Sequence, residues 1–292
     1  MAKFMKKKTI LTIIILIYLT LVIAFNFEYY SNVVKSKIIR DAVDNSPGKA
    51  PENTYPLILL HGFNPTYSRG TSGVTLKNLQ DELSKDLDYV NKGILTDESH
   101  CGELKYSKNP IIIRVTYFEN FKLLTIDEYS RNIQNSISKI KYCTGAEKVD
   151  IIGNSMGGVV ARNYIKKLDD SSVRRMIFLG TPNHGGVYNV GEIANLLAGG
   201  ESRINLDFIE LSGDSKFMTE LNKGDETPGD VEYYSIAGDI DGKGDGLVLA
   251  ESVFVDGDTD KITVECNHLV LGFPKLCPKA YEFIKKSLTR TS

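Results

Sequence analysis

The sequence contains no tryptophan, and histidine and cysteine occur only four times each in its 292 residues. It also lacks an excess of positive charge, because 35 lysines and arginines face 37 aspartates and glutamates, leaving a formal charge of −2. A generally basic surface is therefore excluded, and no nucleic-acid partner is expected. Hydrophobic residues make up 42% of the chain and charged residues 25%, which excludes a wholly disordered, collagen-like or many-spanning membrane chain.

A long hydrophobic run lies at the N-terminus, where Thr9 to Phe27 comprises 19 residues without a charge. A helix of this length reaches roughly 28 Å, so residues 9–27 are expected to form a transmembrane anchor. The basic tail, residues 1–8, places the N-terminus in the cytoplasm and the remaining chain outside it. A buried core helix and a cleaved signal peptide, which would give a secreted protein, are the alternatives, although the exit at Ile23–Phe27 is bulkier than usual cleavage sites.

The four cysteines all follow this run, which suits disulfide formation outside the cytoplasm. We expect Cys101 to pair with Cys143 and Cys266 with Cys277, because each pair joins neighbours along the chain. Four buried thiols are the alternative. A zinc site is disfavoured because no Cys-x-x-Cys spacing occurs.

The remaining chain divides into a polar segment and a folded domain. Residues 28–54 are rich in Ser, Pro, Gly and Asn towards their end and are expected to form a stalk. Residues 55–292 alternate short apolar runs with amphipathic helical patterns. The predicted strands are Pro56–Leu60, Ile111–Val115, Val149–Ile152, Met176–Leu179, Tyr233–Ala237 and Ile262–Val264, and the predicted helices are Val74–Leu87 and Asp127–Tyr142. This alternation predicts an α/β domain with a mostly parallel sheet covered by helices on both faces.

The most informative motif is Gly-x-Ser-x-Gly, formed by Gly153, Ser155 and Gly157 between a predicted strand and a predicted helix. A serine nucleophile at a strand end needs a tight, exposed turn, and the flanking glycines leave room for it. The following helix directs its free amides at the position where an oxyanion forms. A plain glycine-rich turn is the alternative interpretation.

With this motif the chain resembles the α/β-hydrolase superfamily, and in particular bacterial and archaeal lipases and esterases with a Gly-x-Ser-Met-Gly-Gly elbow. The resemblance runs from about Tyr55 to the C-terminus. Three further segments support it: Leu59–Phe63, Gly180–Gly186 and Gly244–Val248. Asn154 departs from the His or Tyr that lipases more often carry at that position. The resemblance implies an α/β-hydrolase fold with Ser155 as nucleophile and the amides of Phe63 and Met156 as the oxyanion hole.

The general base and the acid follow from the order serine, acid, histidine in this superfamily. His268 is the only histidine that follows both the nucleophile and a plausible acid loop, and a surface histidine is the alternative interpretation. Asp245 matches the lipase-like Asp-Gly-x-Val segment and is the favoured acid. Asp239 and Asp241 compete with it.

The expected chemistry requires no metal and no organic cofactor. Asp239 to Gly246 superficially resembles a calcium loop, but Lys243 and Ala250 occupy positions at which such a loop needs oxygen ligands. We therefore expect a turn that carries the acid.

The predicted function is hydrolysis of carboxylic esters, including lipids, through an acyl-enzyme. Residues 186–230 form a long connection that is expected to be either a lid over an acyl pocket or an ordinary crossover helix. The alternatives are an acyl or lipid transferase of the same fold and a membrane-tethered binding protein without catalysis, which the intact Ser155 and His268 argue against.

Overall fold

The structure of the protein, a computed structural model, describes residues 20, 26–38, 44–64, 67–105, 108–120, 122–187 and 209–290. The predicted anchor, residues 9–27, lies almost wholly outside these ranges. Within them, no helix is long and apolar enough to cross a membrane.

Seven parallel strands form one sheet in the order β2-β3-β1-β4-β5-β6-β7. The strands are β1 (Leu57–Leu60), β2 (Val90–Ile94), β3 (Ile111–Val115), β4 (Val149–Asn154), β5 (Val173–Leu179), β6 (Glu232–Gly238) and β7 (Asp260–Val264). The predicted parallel sheet is confirmed, with β2 as an additional edge strand. Its Asn-Lys-Gly centre is partly exposed, which conceals the strand from a search for apolar runs.

Helices cover both faces of the sheet. They are α1 (residues 26–38), α2 (Arg69–Val74), α3 (Lys77–Asp86), α4 (Cys101–Leu104), α5 (Ile126–Thr144), α6 (Met156–Lys167), α7 (Lys216–Leu221), α8 (Ala250–Val253) and α9 (Pro278–Thr289). Alternate residues of β1 point to opposite faces: Ile58 and Leu60 join the core beneath α5 and α6, whereas Leu57 and Leu59 join the core beneath α3 and α9.

The two predicted helices have different outcomes. The pattern expected over 127–142 corresponds to α5, which begins with a capping box between Thr125 and Glu128 and ends at Gly145 in the left-handed conformation. The helix expected over 74–87 was wrong at its start, because Leu76 adopts a φ of 63° and separates α2 from α3.

The expected stalk differs from the structure. Residues 26–38 form α1, which lies on the domain: Asn26 accepts a hydrogen bond from Ser68, and Glu28 pairs with the buried guanidinium of Arg114. Further along, the amide of Gly48 donates to the carbonyl of Tyr142. The sequence suggested a linker because residues 28–54 are polar and their hydrogen-bond partners lie far away along the chain.

Of the expected lid, residues 188–208 lie outside the described part of the chain. Within 209–230, α7 packs Met218 and Leu221 into the core next to α6. In the same part Leu211 lines the cavity described below, so the described residues do not decide between the two alternatives.

Two disulfides join Cys101 to Cys143 and Cys266 to Cys277, which is the expected pairing. The first links α4 to α5, and the second closes the loop between β7 and α9.

Candidate active site

Ser155 stands between the end of β4 and the start of α6. Its backbone adopts φ 52° and ψ −128°, a conformation that a residue with a side chain rarely occupies and that costs about 1–3 kcal/mol. Its amide donates to the carbonyl of Leu179 on the neighbouring strand, which fixes the turn. The result is a sharp strand-to-helix elbow that exposes the serine hydroxyl at the carboxyl edge of the sheet.

The glycines around Ser155 are required by close packing. A methyl group on Gly157 would lie 2.2 Å from the carbonyl oxygen of His61, and one on Gly158 would lie 2.0 Å from the hydroxyl oxygen of Thr181. The elbow therefore fits against the loop after β1 and the loop after β5 only because these positions have no side chain.

Two short hydrogen bonds connect Ser155, His268 and Asp245. Nε2 of His268 lies 2.9 Å from Oγ of Ser155, and Nδ1 lies 2.7 Å from Oδ2 of Asp245. The amide of His268 also donates to the carbonyl of Asp245 at 2.8 Å. The imidazole is thereby held between a hydroxyl and a buried carboxylate, in the order that base-assisted nucleophilic attack requires.

The three candidate acids have different surroundings. Asp245 is buried, and its Oδ1 accepts hydrogen bonds from the amides of Leu247 and Val248 at 2.9 and 2.7 Å. Asp239 instead accepts from the amide of Gly244 and closes the loop. Asp241 is exposed at a positive φ. Only Asp245 contacts His268 among them.

The loop that carries His268 is held at both ends. Cys266 bonds to Cys277, and the amide of Cys277 donates to the carbonyl of Phe273. The backbone of Gly180, directly after β5, packs against His268 and Asp245. A methyl group added at Gly180 would lie 3.3 Å from both Nδ1 of His268 and Oδ2 of Asp245. The disulfide-closed loop and the backbone at Gly180 therefore bound the space in which the base and its carboxylate partner lie.

The two predicted oxyanion residues lie on either side of Ser155. Met156 follows it at the first position of α6, and Phe63 follows Gly62, where an added methyl group would lie 3.0 Å from Cβ of Ser155. Both residues line the same cavity as the serine. The loop after β1 and the start of α6 thus both adjoin the nucleophile, and the oxyanion role of these two residues stays a prediction.

His61 is a supporting residue whose environment the sequence did not reveal. Its ring stacks on Tyr117 at a centroid distance of 4.2 Å, and the Tyr117 hydroxyl donates to the His61 carbonyl at 2.8 Å. Burial lowers the pKa of His61 to about 4, while its Nδ1 lies 2.7 Å from the carbonyl oxygen of Gly62. A neutral imidazole therefore braces the backbone next to Gly62, and the partner that reveals this role is 56 residues away in sequence.

A cavity of about 600 Å³ opens at Ser155 and His268. Most of its wall is apolar and is built mainly from loops at the carboxyl edge of the sheet, with Phe63, Val74, Leu76, Val187, Leu211, Leu247, Val248, Leu269 and Phe273 among the lining residues. Ser155 and His268 thus lie at the wall of a largely apolar cavity.

The other histidines are separate from this arrangement. His184 lies in the turn after β5 and pairs with Glu226 at 3.0 Å. His100 is buried beside Cys101 at the start of α4. In the ranges that the structure describes, no three His, Cys, Asp or Glu side chains are grouped to hold a metal ion, and Asp239 is used inside its own loop.

Comparison with protein families gives one match. Residues 45–256 match a family described as an α/β hydrolase of unknown function, DUF915. This range includes the serine elbow and Asp245 and ends before His268. No curated protein matches the chain.

Solved structures share the fold at low identity. The product of the gene lin2722 from Listeria innocua is 22% identical with a TM-score of 0.54, and the match covers 82% of this chain and 96% of that one. The mature Bacillus licheniformis lipase BlEst2 is 17% identical with a TM-score of 0.56 and the same coverages, whereas this chain spans 53% of the propeptide form. Aspergillus fumigatus lipase B is 13% identical with a TM-score of 0.55, over 86% of this chain and 56% of that one.

Proposed function

Because this chain belongs to the α/β-hydrolase family DUF915, we propose that it is a serine hydrolase that cleaves carboxylic esters as a lipase or carboxylesterase. The observation that carries the proposal is the hydrogen-bonded series from Ser155 through His268 to Asp245 at the wall of a largely apolar cavity. The apolar wall suits the acyl chain, and the series supplies an activated nucleophile.

In the proposed reaction, Oγ of Ser155 attacks the ester carbonyl while Nε2 of His268 removes its proton. Asp245 holds the imidazole in the required orientation and stabilises its charged form. The imidazolium then protonates the departing alcohol, which leaves an acyl-enzyme. Water, deprotonated by His268, attacks the acyl carbonyl and releases the carboxylic acid.

Both tetrahedral intermediates carry a negative oxygen, for which we propose the amides of Phe63 and Met156 as donors. Each donor of this kind lowers the barrier by about 3 kcal/mol in serine hydrolases. His61 and Tyr117 hold the loop from which the first amide comes.

The proposal is tested with p-nitrophenyl esters of increasing chain length. We expect Ser155→Ala to abolish turnover and Ser171→Ala, an exposed serine outside the cavity, to retain it. A fluorophosphonate should attach to one peptide, that of Ser155. Turnover that survives Ser155→Ala, or an adduct elsewhere, would contradict the proposed nucleophile.

We also propose that residues 9–27 anchor the chain in a membrane with the hydrolase domain outside the cytoplasm. The lysines of residues 1–8 favour this orientation, and the two disulfides suit an oxidising compartment. Full-length protein should sediment with membranes, and external protease on intact spheroplasts should cleave the domain. Mature protein that begins near residue 25 would instead indicate cleavage and secretion.

A further inference from the structure

Helix α1 has one face on the domain and one apolar face in solvent. The inward face contributes Glu28, which pairs with Arg114, and Tyr29, which is buried. The outward face carries Phe27, Tyr30, Val34 and Ile38, whose exposed fractions are 69%, 46%, 54% and 75%. Their spacing of three and four residues places them on one stripe of the helix. We call these four residues the α1 stripe.

The residues next to the α1 stripe indicate what covers it. The stripe directly continues the uncharged run from Thr9, which is long enough to span a bilayer, and the basic tail precedes that run. Lys35 and Lys37 flank the stripe on exposed positions of α1. A helix with aromatic and aliphatic residues on one face and lysines beside them is typical of one that lies in the membrane interface.

The position of α1 fixes what else reaches that interface. Asn26, its first described residue, contacts the first turn of α2, where Gly70 is so close that an added methyl group would overlap it. The last residue of α2, Val74, lines the cavity. Val74 lies four positions after Gly70 in this helix, which is roughly 6 Å along the axis. The chain therefore leaves the apolar run beside the wall of the active-site cavity.

The loop after β7 also presents apolar side chains to solvent at the cavity. Leu269 and Phe273 line it and are 77% and 42% exposed. Leu276 follows in the same disulfide-closed loop and is also exposed. An exposed apolar rim of this kind is typical of a surface that meets a partner or a membrane.

From these contacts we infer that α1 lies in the membrane interface through its stripe and brings the cavity mouth to the bilayer, so that the substrate is an ester lipid of that bilayer. This inference rests on the proposed function and gives it a substrate class. The ester of a glycerolipid lies at the boundary between headgroups and acyl chains, which is the depth at which an interfacial helix is buried.

The absence of tryptophan allows a direct test of the membrane contact. Val34→Trp and Leu269→Trp, each made in full-length Ser155→Ala protein so that lipid is not consumed, place one indole on the α1 stripe and one on the cavity rim. Leu168→Trp is the matched control: Leu168 is 39% exposed at the far end of α6, on the opposite edge of the sheet. The proteins are reconstituted into phosphatidylcholine and phosphatidylglycerol vesicles with and without brominated acyl chains.

We expect brominated lipid to quench the emission of Val34→Trp and Leu269→Trp by about half, because both indoles would lie at the acyl boundary. Leu168→Trp should keep its emission. Equal quenching at all three sites, or none at Val34→Trp, would overturn the inference. Lack of quenching together with self-association of the protein would indicate that a second copy covers the α1 stripe.

Activity supplies an independent test. The double variant Val34→Asp/Ile38→Asp should lower the ratio of vesicle-phospholipid hydrolysis to p-nitrophenyl butyrate hydrolysis by about tenfold or more, since two charges oppose burial of the stripe at the interface. Leu168→Asp should leave the ratio unchanged. An unchanged ratio in the double variant would overturn the inference.

The wild-type protein separates this inference from the proposed function. Turnover of p-nitrophenyl butyrate without release of fatty acid from vesicles would overturn the lipid substrate and leave the esterase in place. If wild-type protein hydrolysed neither p-nitrophenyl butyrate nor vesicle phospholipid, the proposed function itself would be overturned.

Discussion

The carboxylate of Asp245 allows the role of the acid to be tested without disturbing its loop, because its two oxygens have separate partners. Oδ2 faces Nδ1 of His268, whereas Oδ1 accepts the amides of Leu247 and Val248. In Asp245→Asn the amide oxygen can keep both backbone hydrogen bonds, so the loop is retained. The amide nitrogen then donates to Nδ1, which moves the imidazole proton to Nε2. His268 can no longer accept the proton of Ser155.

The expected effect is a fall in kcat of about 10⁴ with KM little changed, which corresponds to about 5 kcal/mol of transition-state stabilisation. The free energy of unfolding should change by about 1–3 kcal/mol, the range for loss of one buried charge-assisted hydrogen bond. Asp239→Asn is the matched control, because the Asp239 side chain accepts a hydrogen bond from the amide of Gly244 that asparagine can also accept.

The assay is initial-rate hydrolysis of p-nitrophenyl butyrate over a range of concentrations, with urea unfolding of the same preparations. A fall in kcat of less than about tenfold in Asp245→Asn, with unfolding unchanged, would refute the role of this acid. A comparable loss in Asp239→Asn would show that the loop conformation, and not the contact with His268, controls turnover.

Three further expectations concern stability. Below pH 6.5 the unfolded chain protonates His61, whereas the folded chain resists protonation until about pH 4, so the free energy of unfolding should fall by about 3 kcal/mol across this window. In His61→Gln, the free energy of unfolding measured in urea should lose this dependence on pH. A pH dependence equal to that of the wild-type protein would contradict the expectation. The double variant Cys266→Ser/Cys277→Ser should lose about 3 kcal/mol of unfolding free energy by the loop-entropy relation, which calorimetry measures. It should also lower kcat, measured from initial rates, because the disulfide closes the 11-residue loop that carries His268. Full activity in this variant would refute the effect on kcat. Glu28→Gln leaves the buried charge of Arg114 without its partner and should cost about 2 kcal/mol in urea unfolding, whereas an unchanged midpoint would show that α1 adds nothing to the domain.

The parts of the site that the sequence predicted depend on short, local patterns. Gly153 to Gly157 contains the whole strand, turn and helix junction of the nucleophile, and Asp245 lies in a four-residue segment. The disulfide between Cys266 and Cys277 joins residues 11 apart, so chain proximity alone favours it. In each case the interacting groups, or the backbone conformation, are determined within a few residues.

The parts that the sequence did not predict depend on distant partners. Glu28 belongs to a polar segment, and only Arg114, 86 residues later inside an apolar strand, gives it a place on the domain. The break at Leu76 interrupts a helical pattern at a residue whose side chain lines the cavity together with residues distant in sequence. Hydrophobic periodicity and secondary-structure propensity describe one segment at a time, so they cannot predict contacts between segments that are distant in sequence.

The span of the hydrogen bond between Ser155 and His268 has a consequence for biosynthesis. The two residues are 113 positions apart, and the base follows β7, the last strand to be synthesised. A parallel sheet forms through contacts that are distant along the chain, so the nucleophile emerges well before any base can reach it. For an enzyme anchored as proposed, a nascent or truncated chain is therefore chemically inert, and the membrane through which it is delivered meets a competent hydrolase only when folding is complete.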